Sequence, residues 1–273
     1  PEHYPRSLPA ALPVYARHFW VLGRTTPHAD RVPALDAVTF HAKLGTQGAR
    51  AQRISTLARH VAEAMGLTSQ QADQAYRAGL LAKADLTTGM VGEFPELQGV
   101  MGGYYAAHDG EDSAIAQAVA EHYMPRGLGD DIATAPVSVA VALADRLDLL
   151  AGFFAISETP TGSGDPYGLR RAALGVIRSI RDNALRLNLT DLFSKAAGER
   201  TGGELPRLPD FIAERLRVQL RSEGKRHDVL AATLAGGLDG DLVRLLARTD
   251  ALSDMIQTEN GRNLLAAAKR AAN

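Results

Sequence analysis

The chain contains no cysteine. That single absence removes disulfides, zinc–thiolate sites and thiol catalysis. It accords with a reducing cytosol, so a cytoplasmic location is expected. An excess of one charge is missing too: 30 Lys+Arg stand against 31 Asp+Glu in 273 residues. No global field therefore draws the chain to nucleic acid, and any RNA surface has to be a local patch. Aromatic residues make up only 5%, and β-branched runs are scarce, which argues against sheets. No long uninterrupted apolar run occurs. The most apolar stretch, Ile132–Ile156, is broken by Asp145, Arg146 and Asp148, each costly at a bilayer centre. No membrane partner is expected. A P-loop, a dinucleotide-binding glycine pattern and a nucleophile elbow are all lacking.

What is present is alanine, leucine and arginine at helical spacing, and the expected fold class is all-α. Pro1, Pro5, Pro9 and Pro13 make the first dozen residues irregular, and an apolar patch follows at Val14–Leu22. Asp30 is expected to cap a helix over Arg31–Leu44, and Ile54, Leu57, Ala58, Val61, Ala62 and Met65 give one apolar face over Ala49–Met65. Helices over Gln70–Leu86 and from a Ser113 cap to Tyr123 follow, separated by a glycine-rich stretch of short turns. The long apolar helix ends near Ile156. The clearest composition break is Thr159–Pro166, a linker. Beyond it the pattern predicts helices over Tyr167–Leu187, Asp191–Ala197, Pro209–Glu223, His227–Leu234, Leu238–Thr249 and Met255–Ala272.

Three long strings carry a family resemblance. They are KLGTQGARAQRI with GLLAKADLTTGMVGEFPELQGVMGGYYA (43–54 and 79–106), HDGEDSAIAQAVAEHYMPRGLGDDIATAPVSVAVALADRLDLLAGFFAI (108–156) and PTGSGDPYGLRRAALGVIRSI (160–180). Together these resemble the beta subunit of bacterial two-subunit glycyl-tRNA synthetase. That subunit is longer than this chain, so the resemblance implies a central piece. In the family the alpha subunit makes glycyl adenylate and the beta subunit supplies most tRNA contacts. ATP and magnesium are thus expected on the alpha subunit and no cofactor on this chain, in which no synthetase ATP-binding motif occurs. The implied partners are glycine tRNA, the alpha subunit and the remaining domains of the beta subunit. The implied architecture is an N-terminal segment (1–30), an HD-domain-like helical bundle (31–157), a linker (158–166) and a second helical domain (167–273).

HD domains in other proteins hold divalent metals with a His, an adjacent His-Asp pair and a distant Asp. By position, Arg53 stands where the first His belongs, and Ala82-Lys83-Ala84-Asp85 stands where the His-Asp pair belongs. Asp145 resembles the closing ligand. A cationic Arg53 or Lys83 opposes a divalent ion, so the resemblance implies a degenerate site at Arg53, Lys83, Asp85 and Asp145. Asp145 is then expected to pair with Arg53 or Lys83. His122, before a glycine-rich loop, is a weak metal candidate with Asp145. The literal His108-Asp109 dipeptide lies in a loop, where Asp109, Glu111 and Asp112 suit helix capping.

Arg170, Arg171, Arg178, Arg181 and Arg186 line one side of the Tyr167–Leu187 helix opposite its apolar face. They form either a solvated face laced with ion pairs or a contact for tRNA phosphates. Lys43, Lys83, Arg126 and Lys225-Arg226-His227 are further phosphate candidates. Tyr104 and Tyr105 either anchor the core or stack on an unpaired base. Three functions remain open: tRNA-positioning scaffold, residual metal-dependent phosphohydrolase, and alpha–beta assembly module without RNA affinity.

Overall fold

The computed structural model describes residues 12–127 and 129–271 of the chain. Residues 1–11, expected to be irregular, lie outside the described residues. The regular structure of the described residues is helical apart from one two-stranded hairpin and an isolated bridge between Thr161 and Gly164, the all-α class that composition indicates. The chain divides into two compact units, one of residues 1–125 with 133–148 and one of 126–132 with 149–273. The expected linker, 158–166, thus belongs to the second unit, as does the loop 126–132.

The first unit opens with helix α1 (Leu12–Gly23) and a 3-10 helix, Ala29–Ala37. Strands β1 (Thr39–His41) and β2 (Gly45–Thr46) then pair antiparallel. The α-helix expected over Arg31–Leu44 is therefore a 3-10 helix followed by a hairpin. The reason is local: Val38, Thr39 and Phe40 favour extended backbone, and Gly45 turns the chain with φ of 87°. Helix α2 (Gln47–Ala64) starts where the Thr46 side chain accepts the Ala49 N–H. Helix α3 (Ser69–Leu81) starts at a capping box between Thr68 and Gln71. The two helices pack together, closely enough that a Cβ on Gly79 would sit 2.7 Å from Ser55 Cα. Substituting Gly79 would push the helices apart.

Helix α4 (Gly89–Glu93), helix α5 (Val100–His108) and helix α6 (Ser113–Glu121) follow. The N-cap of α6 is Asp112, which accepts the Ala114 N–H, rather than the expected Ser113. Asp109 accepts the His28 N–H at 2.5 Å, and Glu111 pairs with Arg77. Helix α7 (Pro136–Ala155) ends the unit's own share at Asp148. Ile54, Ala58, Val61, Leu81, Val119, Leu143 and Leu147 fill the core of this unit. Each fully buried leucine or isoleucine among them contributes about 1.5–3 kcal/mol.

The second unit contains helices α8 (Leu169–Asp182), α9 (Leu189–Ala197), α10 (Leu208–Ser222), α11 (His227–Thr233), α12 (Leu242–Gln257) and α13 (Glu259–Ala271). Helix α8 is shorter than its apolar pattern, because Ala184 takes a positive φ of 51° and ends it. Asp241 caps α12 by accepting the Arg244 N–H, so that helix starts four residues later than the pattern suggests, and it runs on to Gln257, into the span expected for the last helix. Leu169, Ala173, Val176, Ile177, Ile180, Ile212 and Leu216 form the core here. Among the described residues, no helix is long and apolar enough to cross a membrane.

Candidate functional site

The residue types singled out by sequence converge in the first unit on one buried lysine. Lys83 follows α3 at the start of a 3-10 turn, Ala84–Thr87, and its side chain is 0% exposed. Its Nζ lies 2.9 Å from Asp145 Oδ1, supplied by α7, and 2.9 Å from His122 Nε2, at the end of α6. It also stands 3.9 Å from the centre of the Tyr123 ring. His122 Nδ1 is 2.7 Å from the Val119 carbonyl oxygen. A carbonyl only accepts, so Nδ1 carries the hydrogen and Nε2 accepts from the Lys83 ammonium.

Arg50 on α2 donates from Nη2 to Asp145 Oδ1 at 2.9 Å, and its Nε lies 3.5 Å from Asp148. Arg53, one turn on, donates to Asp148 at 2.7 Å. Of the two expected partners of Asp145, Lys83 pairs with it and Arg53 does not; Arg50 is the second cation there. The sequence carried a usable signal that was missed. Arg50 and Arg53 are three apart on one helix, and Asp145 and Asp148 three apart on another, so two charge pairs match across a helix contact.

Burial sets the electrostatics. It pushes Lys83 down to about 8 even though the Asp145 charge works the other way. Burial, reinforced by the Lys83 charge, holds His122 neutral, well below the ordinary histidine value. Burial alone would raise Asp145, but Lys83 and Arg50 outweigh it and keep that carboxyl ionised. An ion liganded by both His122 Nε2 and Asp145 Oδ1 would need the volume that the Lys83 ammonium fills, with Arg50 alongside. Among the described residues, no three His, Cys, Asp or Glu side chains are grouped to hold a metal.

Asp85, two residues from Lys83, does different work. Its Oδ2 accepts the Gly99 N–H at 2.6 Å and the Gly102 N–H at 3.2 Å, capping the start of α5. Burial raises its pKa, with these two donors opposing the rise. Arg146, next to Asp145, is buried and donates to the carbonyls of Ala142, His122, Tyr123 and Pro125 at 2.8–3.2 Å. It fixes the chain that leaves α6 and thereby the His122 ring. Burial lowers its pKa to about 10, and the Asp145 charge limits that fall.

The phosphate candidates disperse. Lys43 is exposed in the hairpin turn, and Arg126 is exposed in its loop. Lys83, counted among them from sequence, is enclosed, so a phosphate cannot reach it. On α8, Arg170 donates to the carbonyls of Gly162, Ser163 and Gly164. Arg178 donates to those of Gly127 and Asp130. Arg181 pairs with Glu223 at 2.5 Å, and Arg186 pairs with Asp241. Arg171 is exposed and makes no hydrogen bond or ion pair with another described residue. The N-terminus of α8 is already occupied by Asp165, which accepts the Leu169 and Arg170 N–H groups at 2.8 and 3.0 Å. The adjacent tyrosines part company: Tyr105 is 1% exposed and Tyr104 is 49% exposed.

Comparison with known proteins adds a family. The family model described as glycyl-tRNA synthetase beta subunit matches residues 14–235. The chain is 48% identical to the glycine–tRNA ligase beta subunit of Rhodospirillum centenum over 265 residues, covering 94% of this chain and 37% of that protein. It is 49% identical over 258 residues to the Phenylobacterium zucineum protein of the same description, covering 94% of this chain and 37% of the relative. For the Paracoccus denitrificans protein the figures are 51% over 245 residues, 90% and 35%. The chain thus spans just over a third of the length of these relatives.

Proposed function

This chain belongs to the glycyl-tRNA synthetase beta subunit family, and on that premise we propose that it is a non-catalytic, RNA-handling part of a two-subunit glycine–tRNA ligase. In this reading the first unit is an HD-like bundle whose metal site has degenerated. It holds the acceptor arm of glycine tRNA and directs the 3′ end toward the alpha subunit, where ATP and magnesium act. The second unit connects to the rest of the beta subunit. The observation that carries the non-catalytic half is the Lys83 ammonium, 2.9 Å from both His122 and Asp145. A tethered cation at the convergence of those two side chains supports the reading, because a hydrolytic metal would compete with it for the same two ligands.

The test has two arms. Equilibrium dialysis of the full beta subunit against manganese or zinc is expected to give no stoichiometric uptake involving His122 and Asp145. Uptake lost on changing His122 to Ala would instead support the phosphohydrolase reading. Titration with glycine tRNA at about 50 and 200 mM salt is expected to show binding that weakens steeply with salt. A second reading, an alpha–beta assembly module without RNA affinity, is favoured by the internal use of Arg170, Arg178, Arg181 and Arg186. It predicts alpha-subunit binding with no tRNA affinity.

A further inference from the structure

Tyr104 and Tyr105 are adjacent in sequence and opposite in environment. Tyr105 is buried and stacks on Trp20 of α1, with ring centroids 5.4 Å apart and planes 17° apart. Tyr104 meets the same indole at 90° with centroids 6.2 Å apart, yet remains 49% exposed. Trp20 itself packs against the small core of Met90, Val91, Met101 and Tyr105. The exposed ring therefore rests on a fixed support, and little rotamer entropy remains to be lost when something binds to it. One turn beyond Trp20, the Arg24 guanidinium lies 5.3 Å from the centre of the indole. Arg24 makes no ion pair with any described carboxylate, so its charge is available to an incoming anion. Val100, one turn before Tyr104 on α5, is 38% exposed and extends the apolar floor.

An exposed aromatic face on an indole that also carries a guanidinium, one that meets no described carboxylate, suits a ligand that is flat and apolar on one part and anionic on the next. A nucleotide with an unpaired base has that chemistry, whereas a paired base has its faces covered by its neighbours. We propose that the surface of α1 and α5 centred on Tyr104, with Trp20 behind it and Arg24 on the same indole, is a stacking site for an unpaired nucleotide of an RNA single strand. The base lies on Tyr104 and the adjoining phosphate meets Arg24. No side-chain amide is part of the platform, so it accepts any base rather than reading one. This inference rests on the RNA-handling reading and gives that reading a location.

The experiment uses the full beta subunit assembled with its alpha partner. Two probes are compared: glycine tRNA with its single-stranded 3′ end intact, and the same tRNA trimmed back to its duplex. Tyr104→Ala is expected to weaken binding of the intact tRNA about tenfold, within the range that one stacked base supplies. The trimmed tRNA should bind wild type and variant alike. Tyr104→Phe, which keeps the ring, should restore the intact affinity. Equal loss on both probes, or no loss on either, overturns the site while leaving RNA handling in place. Loss of alpha–beta assembly with unchanged tRNA affinity also overturns it, since the face is then covered by protein. A wild-type complex without tRNA affinity overturns the RNA-handling reading itself, and the stacking site with it. Because Tyr104 is half exposed, the variant should melt within a few degrees of wild type, so a loss of binding is not a loss of fold.

Discussion

The Arg50 guanidinium donates to the same Asp145 oxygen, Oδ1, that receives the Lys83 ammonium, each at 2.9 Å. One buried carboxylate thus answers two cations, and Asp148 stands close by to answer Arg50 and Arg53. Arg50 also lies over the Phe40 ring at 4.3 Å, which joins the hairpin to α2. Arg50→Met is therefore expected to cost about 3 kcal/mol, in the range for breaking a buried pair. Arg53 is a third exposed, so Arg53→Ala should cost about 1 kcal/mol, near the upper end for surface pairs. Urea denaturation of the two variants checks the order. Equal costs would mean that Arg50 does not anchor Asp145.

Lys83→Met removes the ammonium and keeps the stem. His122 Nε2 then loses its donor and Asp145 keeps Arg50 alone, at an expected cost of about 3–5 kcal/mol. Adding Asp145→Asn should recover part of that loss, because the remaining carboxylate charge is no longer under-compensated. With the positive neighbour gone, the His122 pKa should rise, and NMR of the imidazole follows it directly. Additive stabilities and an unmoved His122 would show that the three side chains do not act as a unit.

His28 lends the fold sensitivity to acid. Burial lowers its pKa to about 4, with the Leu81 carbonyl, 3.2 Å from Nε2, opposing the fall. Between that value and 6.5 the unfolded imidazole binds a proton that the folded one refuses, so stability falls as pH drops through this window. The His28 share between pH 7 and pH 5 is about 2 kcal/mol. His28→Gln should remove that share, whereas the His122 contribution, of the same sign, persists. Denaturation curves at the two pH values measure the difference.

Arg171 and Arg178 give opposite answers to one question. Arg178→Glu should loosen the 127–130 loop, because its guanidinium holds two carbonyls there. A binding defect in that variant would be ambiguous. Arg171→Glu disturbs no partner among the described residues, so a drop in tRNA affinity with a salt slope smaller by about one would mark a phosphate contact. Unchanged affinity and slope would assign the α8 face to the fold alone.

Much of this architecture was legible in the chain. Helical spacing located α2, α6 and α10 to within two residues, and the start but not the end of α3, which stops at Leu81 before a separate 3-10 turn. It failed over 31–44, where Val38-Thr39-Phe40 favours extended backbone and the pairing partner, Gly45-Thr46, is only two residues long. The site was partly legible. The pairing of Lys83 with Asp145 could be read from charge alone, but which arginine faces Asp145 depends on the rotation of α2 about its axis. Asp85 resembled a ligand because a carboxylate beside a helix end looks the same in sequence whether it holds an ion or two backbone N–H groups. The α8 arginines left two readings open in sequence because the carbonyls that bind Arg170 and Arg178 come from loops, which have no periodicity to read.

The Lys83 side chain also has a consequence for robustness. A divalent ion in a protein exchanges with its surroundings, so its occupancy follows the metal supply, chelators and competition among metals. A cation carried on a lysine stem is present at one per chain from synthesis onward and answers to none of these. The packing of α3, α6 and α7 around Asp145 and His122 should thus melt at the same temperature with EDTA, excess zinc or neither. Its remaining dependence is on protons: between about 8 and 10.5 the folded Lys83 gives up a proton that the unfolded lysine keeps, so this group's own share of stability rises with pH there.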